Sequence, residues 1–396
     1  MRRGFQGVGT SAALATSLAS VPLVHAQGQS EIRVGLVGCG GRGSGAAINA
    51  MQADQAVRVT ALADLYEDSM QRCRLSLQPK FKEQMVVTDE QCFAGFDGYK
   101  SLLDSDIDVV LLASPPHYRP DHIEAAVEAG KQIFCEKPVA TDPTGVRRVE
   151  AACRRADEKR LNVVSGLCWR YDRGLVATMD RVHEGAIGRV IASQANYLTN
   201  PIWMKTRRPG ESDMEYQCRN WYNHTWLSGD HIVEQFVHSL DKALWLHGDE
   251  PPIRAYGQGG RQRRSDITQG DIYDHFHVVY EWADGTKTFA STRQMRNCMN
   301  EVEDYVMGEK GVARLIKHRI DGESEWRHEG KDVQMHQAEQ NEFFKAIRGH
   351  RPRINNGLYM CRSTMMAILG REVCYSGRDL TYEAVSMSPQ DLRPPS

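Results

Sequence analysis

The 396-residue chain has almost no net charge, with 49 basic residues against 51 acidic ones and a formal −2. It also lacks any long Lys/Arg run, so no global field recruits nucleic acid or an anionic membrane. Its ten cysteines are scattered and include no Cys-x-x-Cys pair, which points away from both a disulfide scaffold and a zinc ribbon. They read as small buried hydrophobes in a protein that folds with its thiols reduced. There is no internal repeat, no low-complexity tract and no G-x-S-x-G elbow, so a Ser-His-Asp hydrolase has no support. What is present is a 41% hydrophobic chain long enough for two domains at ~100–200 residues each.

Residues 1–26 read as a targeting segment. Arg2-Arg3 precede Phe5, residues 8–24 are weakly apolar, and Val24-His25-Ala26 is a small-residue cleavage site. The run is too short and too rich in Gly and Ser for stable membrane insertion. R-R-G-F resembles a twin-arginine signal, although the Ser or Thr that usually precedes the arginine pair is missing. The expected address is periplasmic or otherwise extracytoplasmic, reached in the folded state; without a working signal it is cytoplasmic.

Beyond the leader the pattern falls into two parts, residues 27–166 and 167–396. Short β-branched runs at 32–37, 57–63, 109–113, 132–135 and 162–166 alternate with amphipathic stretches. That alternation predicts an α/β fold, a doubly wound parallel (Rossmann) sheet covered on both faces. Later runs at 190–197, 275–282, 287–294 and 302–308 alternate apolar and polar residues, and predict a second α/β domain with a large, mostly antiparallel open sheet. Two late helices, 335–347 and 357–374, are expected to pack back on the structure.

Gly38, Gly40 and Gly43 form G-x-G-x-x-G directly after the first strand and at the mouth of a helix. The first glycine allows a tight turn, the second lets a pyrophosphate approach the backbone, and the third brings helix and strand together. The helix N-terminus supplies amide donors and a positive dipole end. Gly41 and Arg42 are assigned to the same cofactor turn. Asp64 ends the next strand, where an acid binds the adenine ribose hydroxyls and repels a 2′-phosphate, so NAD is favoured over NADP. Ser114, Pro115 and His117 leave the strand at 109–113 on the same carboxyl edge, as do Glu136 and Lys137 after the strand at 132–135.

The Gly-rich turn, S-P-P-H and E-K-P in this order resemble the Gfo/Idh/MocA family of oxidoreductases. The resemblance implies a Rossmann domain followed by an α/β domain, and hydride transfer to or from a hydroxyl carbon of a sugar or cyclitol. It also implies that Lys137 holds the reacting oxygen and that the Lys137–Pro138 bond is cis.

At ~100° per residue, Asp230, His231, Glu234, His238 and Asp241 share one arc of a helix expected over residues 228–246. The resemblance makes Glu234 and His238 counterparts of a family D-x-x-x-H, with His238 the proton acceptor and Glu in place of the usual Asp. Asp230 and His231 are expected to touch substrate from the same arc. A metal site on His231, Glu234 and His238 is a rival that would suit a metal-dependent hydrolase, although the spacing is not H-E-x-x-H, and no metal is expected. Residues 199–226 are rich in aromatics, Trp221 and Tyr222 among them, and read equally as a substrate lid and as an oligomer interface. Trp169 reads as packing or, with Arg170, as a contact near the nicotinamide.

The expected protein is thus an NAD-dependent oxidoreductase and a homo-oligomer, dimer or tetramer. The alternatives are a redox-neutral NAD-dependent glycosidase that oxidises its substrate only transiently, and a non-catalytic sugar or NAD sensor.

Overall fold

The computed structural model describes residues 30–330 and 333–393, so the expected export segment lies outside the described residues. The first half alternates strand and helix as β1 (Ile32–Val37), α1 (Gly41–Ala53), β2 (Val57–Asp64), α2 (Glu67–Leu77), β3 (Cys92–Ala94), α3 (Gly98–Asp104), β4 (Val109–Leu112), α4 (Arg119–Glu128), β5 (Gln132–Cys135), α5 (Pro143–Glu158) and β6 (Val163–Ser165). These strands pair in parallel in the order β3-β2-β1-β4-β5-β6. All four residues of β4, Val-Val-Leu-Leu, are buried, as expected of a central strand with helices on both faces. The strand order reverses between β1 and β4, and ligands of such sheets bind outside the carboxyl ends at that point.

The second half continues as α6 (Arg173–His183), β7 (Val190–Thr199), α7 (Asp213–Arg219), α8 (Thr225–Ser228), α9 (His231–Glu234), α10 (Val237–Leu246), β8 (Arg254–Gly260), β9 (His275–Glu281), β10 (Lys287–Gln294), β11 (Glu301–Gly308), β12 (Gly311–Arg314), β13 (Arg319–Gly322), β14 (Trp326–Arg327), α11 (Met335–Ile347), α12 (Gly357–Ser376), β15 (Leu380–Thr381) and α13 (Tyr382–Ser386). Its sheet runs β14-β13-β12-β11-β7-β10-β9-β8-β15. Every pair is antiparallel except β7 with β10, between which the chain makes its long helical excursion. The sequence pattern missed β8 because it is Gly-rich. A Cβ at Gly257 would stand 2.5 Å from the His277 carbonyl oxygen, so glycine is what lets β8 lie against β9.

One apolar core is continuous between the sheets, joining Leu112 and Ile133 to Phe236, Tyr280 and, from α12, Met366. On the opposite face of the first sheet, Phe343 and Phe344 of α11 pack into the cluster built around α1. Asn49 Nδ2 donates to Gln337 Oε1 at 2.9 Å, and Arg348 Nε to Asp54 Oδ2 at 2.7 Å, holding α11 along α1. The late helices therefore reach the edge of the sheet that carries the glycine turn. All ten cysteines are free thiols, and eight of them are buried.

Candidate active site

The turn after β1 is dictated by backbone sterics. Gly38 has φ +93°, and a Cβ there would lie 2.6 Å from the Ser114 nitrogen. A Cβ at Gly43 would stand 1.8 Å from the Gly38 carbonyl oxygen, so only glycine lets α1 approach the strand this closely. A Cβ at Gly40 or Gly41 would meet nothing within 4 Å, which leaves the outer side of the turn open where the first amides of α1 face out. Asp64 at the end of β2 accepts hydrogen bonds from Cys39 N at 2.7 Å and Tyr66 N at 3.0 Å. Burial pushes its carboxyl pKa up. These residues border a cleft that also takes in Ser114 and Pro115. An open anion cradle beside a fixed acid fits a dinucleotide.

The second cluster lies at the end of β5. Glu136 is buried and ion-paired with Arg42. Burial works to raise its pKa, but Arg42 and Lys137 hold it below the usual carboxylate range. The Lys137–Pro138 bond is cis. Lys137 Nζ donates to the Glu234 carbonyl oxygen at 2.6 Å and to Glu234 Oε1 at 2.9 Å. One turn further on, His238 is kept neutral by burial and by the neighbouring Lys137 and Lys242, which push its pKa well down. Its Nδ1 is buried with no hydrogen-bond partner among the described residues. The cluster thus offers a cation that can hold an oxyanion beside a neutral imidazole that can take a proton.

Residues 32–164 match the family model of the oxidoreductase family with an NAD-binding Rossmann fold, and residues 175–314 match the Gfo/Idh/MocA C-terminal domain. The chain belongs to the Gfo/Idh/MocA family. It is an NAD(P)-dependent oxidoreductase. An inositol 2-dehydrogenase of Klebsiella pneumoniae (strain 342) is 26% identical over 286 residues, 72% of this chain and 74% of that protein. Two solved structures share the fold. The aldose–aldose oxidoreductase from Caulobacter crescentus complexed with glycerol has a TM-score of 0.68 at 16% identity, over 89% of this chain and 100% of that one. The WlbA dehydrogenase from Bordetella pertussis in complex with NADH and UDP-GlcNAcA has a TM-score of 0.68 at 18% identity, over 89% and 99%.

In this family member the expected polar arc over residues 228–246 is broken. The amides of Gln235 and Phe236 both reach the His231 carbonyl, which interrupts the helix between α9 and α10 and shifts its phase. Glu234 meets Lys137 and His238 lies within its electrostatic reach, whereas the other members of the arc are held elsewhere. Asp230 is fully buried at φ +74°, its carboxylate accepting from Tyr375 Oη at 2.6 Å and Tyr273 N at 2.8 Å. His231 is equally buried, edge-on to Phe276, with Nδ1 3.2 Å from the Tyr273 carbonyl. Both side chains are thus held inside the fold, His231 turned to Tyr273 while Glu234 is turned to Lys137. Asp241 turns to Arg170, whose Nη2 is 2.8 Å from Asp241 Oδ1 and 2.6 Å from Asp249 Oδ1.

The Arg170 guanidinium also lies over the Tyr359 ring. Trp169 packs beneath the second sheet with the Lys242 ammonium over its ring. Arg42, assigned to the cofactor turn, is ion-paired with Glu136. His117 is not a wall of the cleft; it meets Trp226 edge-on at 4.9 Å. The Tyr222 hydroxyl is engaged by Gln294 Nε2 at 2.7 Å, behind the site, and Trp221 lines the cofactor cleft rather than the Lys137 cluster.

Sequence reasoning missed His336 and Glu339, both on α11. Burial and Arg42 lower the His336 pKa to about 4, and its Nε2 is 4.0 Å from Cys168 Sγ. Glu339 is fully buried with neither oxygen hydrogen-bonded among the described residues; burial and then Glu136 push its pKa well up. Their only trace in the sequence is an acid and an imidazole at i, i+3 on a helix otherwise expected to pack.

Proposed function

We propose that the substrate is a sugar or cyclitol, oxidised or reduced at a hydroxyl carbon, with NAD the preferred dinucleotide. The observation that carries this reading is Lys137, held by Glu234 at the carboxyl edge of the parallel sheet within electrostatic reach of the buried His238, whose Nδ1 has no partner among the described residues. The turn from Gly38 to Gly43 would hold the pyrophosphate and Asp64 the adenine ribose. When bound, the dinucleotide supplies the hydride acceptor or donor. Two of the Lys137 ammonium protons are engaged by Glu234, and the third is free for the reacting oxygen. Glu234 fixes the direction of that ammonium. His238 takes the hydroxyl proton as the oxygen becomes a carbonyl.

A screen of inositols and aldoses with NAD, followed by NADH absorbance, tests the reading; turnover of none would end it. Asp64→Ala should narrow the preference for NAD over NADP by about tenfold in Kd, read by calorimetric titration. Tighter NADP binding by the native protein would reverse the assignment of Asp64.

A second reading, a redox-neutral glycosidase, is favoured by one feature. Elimination at a glycoside needs proton transfers beyond the one that alcohol oxidation requires. His336 adds a second neutral imidazole within the electrostatic reach of Lys137. Aryl glycosides belong in the same screen, without added cofactor. We also propose export through residues 1–26, and homo-oligomer formation through the uncovered sheet face, where Tyr256 and Phe289 are exposed.

A further inference from the structure

The cleft beside the glycine turn is built from two parts of the chain. Its inner wall is the first sheet, with Gly38, Asp64 and the aromatic residues Tyr66, Phe96, Tyr99 and Tyr118. Its outer wall comes from far along the sequence, between β7 and α8, and consists of Lys205, Cys218, Arg219 and Trp221.

That outer segment is a constructed wall rather than a slack loop. Asn220, fully buried, clamps the Lys205 backbone from both sides: Lys205 N donates to its Oδ1 at 2.7 Å, and its Nδ2 donates to the Lys205 carbonyl at 3.1 Å. Ser212 and Glu215 cap α7 reciprocally. Arg219 is ion-paired with Glu211 and donates to the Thr206 carbonyl at 2.9 Å.

Three contacts latch the segment to the first sheet. Tyr66 Oη donates to the Glu215 carbonyl at 3.1 Å, Tyr118 Oη lies 3.5 Å from Cys218 Sγ, and the His117 and Trp226 rings meet at 4.9 Å. The Lys205 ammonium has no hydrogen-bonded or ion-paired partner among the described residues and lies over the Trp203 ring at 5.0 Å. A compartment with five aromatic walls, a fixed acid and an unpaired ammonium suits a planar base on a ribose joined to phosphate.

We propose that the second domain completes the adenosine half of the cofactor site, with Trp221 and Lys205 as binding residues, and that this wall rather than the glycine turn governs how fast the dinucleotide leaves. This rests on the reading of the cleft as a dinucleotide site. An adenosine held there would lie between the first sheet and the segment that the three latches hold against it. Release of the dinucleotide is therefore slower than the glycine turn alone would allow. Residues 199–226 act as a cofactor strap, and Trp221 is no part of a substrate lid.

The test uses NADH as the probe on the full-length protein. Its release is followed by stopped-flow fluorescence on displacement with excess NAD. Trp221→Ala is expected to speed release by about tenfold or more, since stacking on a base is worth ~1–3 kcal/mol. Trp221→Phe should recover most of the native rate. Lys205→Ala, at an exposed side chain with no bond to lose, should also speed release, and its melting temperature should match that of the native protein. Tyr66→Phe, which removes one latch, should give a smaller increase. Native release rates in Trp221→Ala and Lys205→Ala would overturn the strap while leaving the NAD assignment intact. A native protein that does not bind NADH would overturn both.

Discussion

The glycine turn and the α9–α10 segment border the same sheet edge, and they are held by opposite means. The turn is fixed by what the backbone cannot do. Its φ and its two close approaches follow from Gly38 and Gly43 alone. The α9–α10 segment is fixed by what its side chains bind. Asp230 is claimed by Tyr375 and Tyr273, Asp241 by Arg170, and Glu234 by Lys137. Steric exclusion acts within a few residues and leaves one solution. Side-chain pairing acts between distant elements and sorts look-alike acids into different tasks.

The largest expected effect falls where the segment meets Lys137. Lys137→Ala should cut turnover by about two to four orders of magnitude with NADH binding retained, since the contact is to the reacting oxygen. Steady-state kinetics and an NADH titration check it, and near-native turnover would detach Lys137 from the chemistry. Next is Arg170→Ala, which strands Asp241 in the interior. It should cost about 3 kcal/mol in denaturant unfolding and leave the affinity for NADH unchanged. A large loss of affinity instead would return Arg170 to the cofactor.

The turn is tested by two alanines. Gly43→Ala should destabilise the fold by roughly 2–3 kcal/mol, because the new Cβ collides with the Gly38 carbonyl. Gly40→Ala has no such neighbour and should melt like the native protein while binding NADH more weakly. If both variants melted alike, the steric account of the turn would fail.

The smallest effect is a pH dependence. Glu339 has a folded pKa above its unfolded value, so the folded state retains a proton that the unfolded state releases as pH rises past about 4.5. Stability is lost progressively above that pH. Glu339→Gln should therefore gain about 1 kcal/mol over the native protein at pH 8 and little at pH 4. The neutral His336 has the opposite sign, its folded pKa of about 4 lying below the unfolded one, so stability falls as pH drops from about 6.5 towards 4. Equal gains for Glu339→Gln at both pH values would show that its carboxyl is not protonated in the fold.

Legibility tracked the range of the forces. The six-residue glycine motif, Asp64 at a strand end and Lys137 before Pro138 could be seen in the chain because each depends on near neighbours and on strand periodicity. The arc of five polar residues was visible too, and its reading went wrong at one place. The doubly used His231 carbonyl breaks the helical phase, and no local propensity in H-I-V-E-Q-F announces it. β8 was hidden for a different reason, since glycine in a strand carries meaning only once its partner strand is known.

Sequence by itself determined the alternation that makes a parallel sheet, the turn that can cradle a pyrophosphate, and the carboxyl edge on which Lys137 stands. The tertiary structure alone decided that Glu234 is held by Lys137, with His238 in its electrostatic reach, while Asp230, His231 and Asp241 are claimed elsewhere. It alone brought His336 and Glu339 beside Arg42 and Glu136, and laid Lys205 and Trp221 across the cleft. The first set follows from sterics and periodicity within one stretch of chain. The second depends on which distant side chain reaches a buried charge or an open wall first, and only the packed fold sets those distances.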